Sequence, residues 1–184
     1  MFQCGDQVLY CSHGVCKIVD IETKKISGKT VEYFVLEPVE QKQSKFYIPT
    51  QNQTAVAKLQ PLLTQPEVEH LLQSVDISDV VWIQDENKRK QQYASLIISG
   101  NRTELVKMAQ AIGVHKAQQE SAGKKLHQCD ELFLRDAQKL LGAEISMVLN
   151  ISVEEVGKYV QSIFNAQQKG YFPNERIRNR CQVL

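Results

Sequence analysis

The first sixty residues alternate short apolar or β-branched runs with turn signals, a pattern typical of β-strands. Gly14 and Gly28 lie in predicted tight connections, while Pro38 and Pro49 each close a strand. Four or five short strands at this spacing predict a small curled sheet or SH3-like barrel, a fold that often serves as a docking module. The predicted strands cover residues 8–10, 16–21, 31–36 and 45–48.

After Pro49 the apolar period changes from two to about 3.6 residues, which predicts helices. Thr64 and Asn101 are suited to begin helices, and Ser152 with Glu155 matches a capping box. Another helix is predicted to begin near Ser78 or Asp85 and to end at Ser99-Gly100, and the longest apolar stripe runs from Leu126 to Val148. We therefore expect an α+β chain: a β-barrel domain at 1–60, an all-α helical bundle at 61–170 and a basic tail at 171–184.

Composition favours a folded protein in the cytoplasm. A chain of 184 residues with 42% hydrophobic content can bury a core. No apolar run approaches the roughly 20 residues needed to cross a bilayer, and the first six residues lack the order of a secretory signal. Five cysteines are an odd set, so reduced thiols are the expectation. We predict no membrane association.

The distribution of charge matters more than its total. A net charge of +1 argues against a protein that coats nucleic acid through bulk electrostatics. Residues 87–125, however, contain eight basic side chains against two acidic ones. A local basic face is therefore predicted in the helical part.

The strand region also carries an ordered set of turn and strand residues. In chain order they are Phe2, Gly5-Asp6, Val8, Tyr10, His13-Gly14-Val15, Ile21-Glu22, Gly28, Glu32-Tyr33, Val35-Leu36, Ile48-Pro49 and Asn52. This pattern resembles the N-terminal domain of the CarD/CdnL family, and a related domain occurs in the transcription-repair coupling factor. The resemblance continues through Ser99-Gly100, Ala137, Leu141 and Glu144, and so covers residues 2 to about 160.

The resemblance implies a bacterial transcription regulator that modulates the stability of promoter open complexes. In that family a Tudor-like domain adds a strand edge to the RNA polymerase β subunit. An exposed edge offers unpaired N–H and C=O groups to a partner strand, and neighbouring side chains add specificity. The resemblance implies polymerase contacts by Lys24, Lys45, Tyr47 and Ile48.

The helical domain of the family touches promoter DNA at the upstream edge of the melted bubble, where a tryptophan wedges into the minor groove. Trp82 is the single tryptophan here, and it follows Val80-Val81, so a buried structural role is the alternative. Basic side chains would hold phosphates. The implied DNA contacts are Trp82, Lys88, Arg89, Lys90, Lys107, Lys124 and Lys125.

Two other interpretations stay open. Glu86, Asp130 and Glu131 favour a protein-interaction adaptor with little DNA contact. A zinc or thiol redox switch in the N-terminal module would use Cys4, Cys11, His13 and Cys16, whose alternative is simple packing of small buried cysteines, and a Cys11–Cys16 disulfide is a related hypothesis.

An enzyme is not predicted, because the chain lacks a phosphate-binding loop, a metalloprotease motif and a nucleophile with a base and an orienting group. His70, His115 and His127 are isolated in sequence and are expected on exposed helix surfaces. We therefore predict no catalytic residues, no bound metal, no cofactor and no small-molecule substrate.

Overall fold

A computed structural model describes residues 2–10, 13–26, 28–40, 44–75 and 80–168. It is an α+β protein, as predicted, with an antiparallel sheet followed by helices. The predicted tail at 171–184 lies outside the described residues. The strands are β1 Gln7–Tyr10, β2 Val15–Ile26, β3 Lys29–Pro38, β4 Phe46–Pro49 and β5 Leu59–Pro61, with the short helix α1 Gln53–Val56 between the last two.

The five strands form one open sheet in the order β4-β3-β2-β1-β5. Each neighbouring pair is antiparallel, and β4 and β5 are the two edges. Closure into the predicted barrel is therefore not observed in the described residues. Alternate side chains of a strand point to the same face of a sheet. The fully buried side chains on the core face of this sheet are those of Val8, Cys16, Ile18 and Leu36.

The hairpin of β2 and β3 extends well beyond its apolar runs. Its register pairs Glu22 with Tyr33 and Ile26 with Lys29, and Gly28 at the turn has a φ of +79°. A left-handed φ favours glycine, which explains the turn predicted at this position. The polar residues at the far end of β2 are held in a strand by their pairing to β3, not by burial.

Five longer helices follow the sheet within the described residues. As predicted, Asn101 begins one helix, and the capping box of Ser152 and Glu155 begins another. Asp85, the second of the two predicted starts, caps α3 by accepting the N–H of Lys88 at 2.9 Å. The helices are α2 Gln65–Ser74, α3 Glu86–Ser99, α4 Arg102–Ser121, α5 Gln128–Leu149 and α6 Val153–Gln168.

The helices enclose a second core, separate from that of the sheet, in which Leu72, Leu105 and Ile112 are almost completely buried. Their apolar residues recur at the helical spacing seen in the sequence. None of the helices in the described part of the chain is both long and apolar enough to traverse a bilayer.

The sheet and the helices are joined by a buried ion pair, which we call the Arg102 node. The guanidinium of Arg102 donates two hydrogen bonds to the Glu144 carboxylate, both of 2.7 Å. It also donates to the side chain of Gln60 and to the carbonyl of Pro61, each at 2.8 Å. The N–H of Leu63 donates to Glu144 at 3.0 Å. The segment that follows β5 is therefore hydrogen-bonded to both members of the ion pair.

Candidate functional site

One face of the sheet is polar and aromatic, and we call it the tyrosine face. Strand pairing places Glu22 opposite Tyr33, and the rings of Tyr33 and Tyr47 meet edge to face with centroids 6.4 Å apart. The ammonium of Lys24 lies over the Tyr47 ring, 3.4 Å from its centre. The tyrosine face therefore comprises Glu22, Lys24, Tyr33 and Tyr47, and Lys45 lies next to these residues.

Lys24 is accessible although it has partners. Its ammonium lies 3.3 Å from the Glu22 carboxylate, and 40% of its side chain is exposed. Partial desolvation lowers the pKa of Lys24, but Glu22 and Tyr47 outweigh that effect, so the pKa is raised above its ordinary value. The side chain therefore carries a full positive charge, held in one place on the surface at neutral pH.

The other two residues predicted on the polymerase side differ from each other. Lys45 is exposed, immediately before β4, and alternation puts it on the same side as Tyr47. Ile48 points the opposite way and is only 5% exposed within the sheet core. The Ile48 side chain is therefore corrected to a core residue, and only its backbone lies at the edge of the sheet.

The two edges of the sheet are not equivalent. Strand β5 ends in Pro61, which lacks an N–H, and the carbonyl of Pro61 already accepts a hydrogen bond from Arg102. Strand β4 pairs with β3 on one side, and no described strand pairs with its other side. Among the described residues, β4 is thus the edge that an added strand could reach.

A second candidate surface lies where α3 begins, beside the junction of α4 and α5, and we call it the Trp82 end. Trp82 is half-buried in the extended segment before α3. His115 stacks on its ring at 3.7 Å between centroids and 13° between planes. The guanidinium carbon of Arg89 lies 4.4 Å from the same ring centre. Trp82 also packs against the core of the helices, so its ring is held by several neighbours and only part of the side chain is exposed.

Arg89 is not available to phosphate. It is 5% exposed and donates two hydrogen bonds to the Asp130 carboxylate, at 2.9 and 3.0 Å, and a third to the carbonyl of Ile83 at 2.7 Å. The hydrogen bonds to Asp130 raise the pKa of Arg89, so the guanidinium stays charged. Its predicted role in DNA contact is corrected: Arg89 holds Trp82 and α5 in place.

The lysines predicted to contact DNA are divided between two regions. Lys88 is exposed, and Lys90 is partly exposed and paired with Glu86 at the start of α3. Lys124 and Lys125 are exposed just before His127, whose ring nitrogen lies 3.7 Å from Glu86. Lys88 and Lys90 therefore belong to the Trp82 end, and Lys124 and Lys125 lie on the segment that leads to it through His127. Lys107 lies about two turns of α4 before His115 and is paired with Glu104 at 3.3 Å, so it is apart from them.

Comparison with known proteins gives a family match for the sheet. The family model of the CarD-like/TRCF RID domain matches residues 2–62. We call residues 2–62, which match this model, the RID domain. The resemblance predicted from the sequence is confirmed for these residues, and the RID domain family interacts with RNA polymerase. No curated protein matches the chain.

The matched family is a protein-interaction domain, so the match indicates protein binding by the sheet. The match ends at residue 62, within the connection that the Arg102 node holds. The resemblance of the helices to the same family therefore stays a prediction.

The proposed zinc or thiol cluster of the RID domain is not assembled by the described residues. Cys16 is a free thiol buried in the sheet core, where burial raises its pKa to about 11. His13 lies against the rings of Tyr10 and Phe46, and the exposed thiol of Cys4 donates to a backbone carbonyl at 3.1 Å. Cys11 lies outside the described residues. The free thiol of Cys16 also contradicts a Cys11–Cys16 disulfide.

Sequence reasoning missed the partners that define the Trp82 end. His115 and His127 are not isolated: one stacks on Trp82, and the other contacts Cys129, with 3.0 Å between Nδ1 and Sγ. Asp130 is the buried partner of Arg89, not an exposed acid that repels DNA. The pairs of Trp82 with His115 and of Arg89 with Asp130 join residues far apart in sequence, so helical spacing within one element could not reveal them.

Proposed function

We propose that the RID domain binds the β subunit of RNA polymerase through the open edge of β4, and that the tyrosine face provides specificity. The observation that carries this proposal is the inequality of the two edges: β5 is blocked by Pro61 and Arg102, whereas β4 is unpaired on its outer side among the described residues. A partner strand would gain main-chain hydrogen bonds at β4. Lys24, Lys45 and Tyr47 stand beside it.

The test is binding of the full chain to purified polymerase core enzyme and to the isolated β subunit. Lys24→Glu reverses a charge that is held on the tyrosine face, and we expect at least about tenfold weaker binding. Lys158→Glu makes the same charge change on the exposed surface of α6 and is the matched control. Equal affinity of both variants and the unchanged protein would remove the tyrosine face from the interface.

We further propose that the helical part contacts promoter DNA with the Trp82 end and lengthens the life of the open complex. The support is that Lys88 and Lys90 lie on the first turns of α3, directly after a partly exposed tryptophan, and that Lys124 and Lys125 lie on the segment leading to His127, which faces Glu86 at the start of the same helix. An aromatic edge at a distorted base step slows reannealing, and lysines hold the flanking phosphates. Such an effect helps a promoter limited by melting and hinders one limited by polymerase escape.

Open-complex half-life after a competitor challenge tests this second part. Trp82→Ala should shorten the half-life while polymerase binding is unchanged. His115→Ala removes the stacking partner but keeps the indole, so it separates loss of the ring from loss of its support. A half-life that is unchanged in folded Trp82→Ala would rule out the wedge.

The second candidate function is an adaptor that binds polymerase with little DNA contact. The pairing of Lys90 with Glu86, of Lys107 with Glu104 and of Arg89 with Asp130 favours it, because paired cations attract phosphates less. Salt separates the two functions. Recruitment through DNA should weaken steeply with ionic strength, whereas recruitment through a strand edge should change much less.

A further inference from the structure

The Trp82 end also brings three different metal-ligating groups together. Glu86 opens α3, His127 caps α5, and Cys129 follows two residues later. One ligand atom from each lies within 4.8 Å of the other two, and this is the one such group of three among the residues described. Two of the three side chains are exposed and Cys129 is partly so, which leaves the group open to ions in solution.

We propose that Glu86, His127 and Cys129 form a binding site for a zinc ion, with water as the fourth ligand. Zinc accepts thiolate, imidazole and carboxylate ligands in tetrahedral geometry. A carboxylate, an imidazole and a thiol are a mixed set that suits this ion better than magnesium or calcium, which prefer oxygen alone. This proposal depends on neither polymerase nor DNA binding.

The present distances are close to those that a bound ion needs. His127 Nδ1 and Cys129 Sγ are 3.0 Å apart, joined by a hydrogen bond. Ordinary zinc bond lengths at a tetrahedral angle require a separation of about 3.5 Å between these atoms, so they would have to move apart by only about 0.5 Å. On binding, the thiol proton of Cys129 leaves to solvent, and a sulfur–zinc bond replaces the sulfur–hydrogen bond.

The helix starts that carry these ligands are already fixed relative to each other. Arg89, one turn after Glu86, makes its paired hydrogen bonds to Asp130, the residue that follows Cys129. The imidazole of His127 is also free of a capping role, because it makes no side-chain hydrogen bond to the helix it precedes. Binding would therefore need little reorganisation of the backbone.

One neighbouring charge opposes the ion. Lys90 pairs with Glu86, and this interaction lowers the pKa of Glu86. A cation at the site must share or take the Glu86 carboxylate from Lys90. The proposal therefore predicts opposite effects of two neighbouring substitutions: Glu86→Gln should weaken zinc binding, and Lys90→Gln should strengthen it.

The experiment uses the reduced full chain, stripped of metal and titrated with Zn²⁺ against a chromophoric chelator and with Co²⁺ by absorption. We expect one equivalent bound and a thiolate-to-cobalt band that Cys129→Ser abolishes. Loss of a residue that only supports a metal ligand lowers metal affinity about 10–100-fold. Cys129→Ser and His127→Gln each remove a ligand itself, so the fall in zinc affinity should be larger.

Cys4→Ser is the matched control, because Cys4 is an exposed thiol outside the site. It should leave the band and the affinity unchanged. A band lost in Cys4→Ser but kept in Cys129→Ser would overturn the proposal and place the metal in the RID domain. Absence of stoichiometric binding, or affinity that is the same in all variants, would overturn it as well.

Discussion

The tyrosine face and the Trp82 end each place a cation over an aromatic ring, but the two pairs serve different purposes. Lys24 over Tyr47 retains 40% exposure of its side chain, whereas Arg89 over Trp82 retains 6%. The first pair holds a charge where a partner can meet it. The second uses its charge to satisfy Asp130 inside the protein, so the same pairing marks a contact in one region and a support in the other.

Removal of Asp130 should have the largest effect on this difference. Asp130→Ala leaves Arg89 charged and unpaired inside the protein, which typically costs about 3–5 kcal/mol of unfolding free energy. Glu22→Ala, which removes the exposed acid next to Lys24, should cost less than about 1 kcal/mol. Urea unfolding of the full chain measures both. Similar costs for the two substitutions would contradict the distinction between support and contact.

A double substitution sharpens the same point. Arg89→Met combined with Asp130→Leu removes both buried charges and replaces them with apolar groups of similar size. We expect it to recover most of the stability that Asp130→Ala loses. A double variant as unstable as Asp130→Ala would indicate that the other hydrogen bonds of Arg89, to the carbonyls of Ile83 and Gln84, are what matters.

The next largest difference is expected between the stability costs of removing the two aromatic rings. Trp82→Ala loses the contacts of the indole with His115 and Arg89, and should destabilise the protein by about 1–2 kcal/mol. Tyr47 is 41% exposed, and Tyr47→Ala should cost about 0.5 kcal/mol or less. Thermal unfolding compares them. The order of the two effects is the test, since the reverse order would make Tyr47 the structural ring.

Both regions should lose stability at alkaline pH and keep it at neutral pH. Burial raises the pKa of Cys16, under the sheet, to about 11 and that of Tyr93, beside Arg89, to about 12. The folded state thus holds these protons more tightly than the unfolded state. Stability from each group is complete below its ordinary pKa and is lost as pH rises through the folded value. Tyr93→Phe should flatten the fall of the melting temperature above about pH 10, and an unchanged slope would argue against it.

Neutralisation of Lys24 should have the smallest effect on folding. Lys24→Gln removes an exposed charge, so the unfolding free energy should stay close to that of the unchanged protein. Affinity for RNA polymerase should nevertheless fall, mainly through slower association and with a weaker dependence on salt. Paired measurements of stability and association rate check this. A variant that loses stability and keeps affinity would reverse the assignment of the two pairs.

Local pattern predicted most elements correctly. The apolar runs near Val8, Ile18, Leu36 and Ile48 all lie in strands, because alternation and burial on one face are the same property seen in sequence and in space. Helix starts at capping residues were predicted for the same local reason. The short elements α1 and β5 were missed, since each is too brief to show a period.

The candidate sites were less predictable, because their chemistry depends on residues distant in sequence. Successive helix positions point about 100° apart, so the Lys88-Arg89-Lys90 run places one side chain inside and two outside. Nothing in the run indicates that Arg89 is the buried one until Asp130 is found beside it. The closeness of His127 and Cys129 was visible in sequence, but Glu86 joins them only through packing of α3 on α5.

The Arg102 node has a mechanical consequence. Arg102 and Glu144 make hydrogen bonds to Gln60, Pro61 and Leu63. The segment between the sheet and the helices is therefore fixed to α4 and α5. A partner that pulls on β4 would exert a force on α4 and α5 through this segment. A force on the sheet would therefore reach the helices through these hydrogen bonds as well as through the backbone.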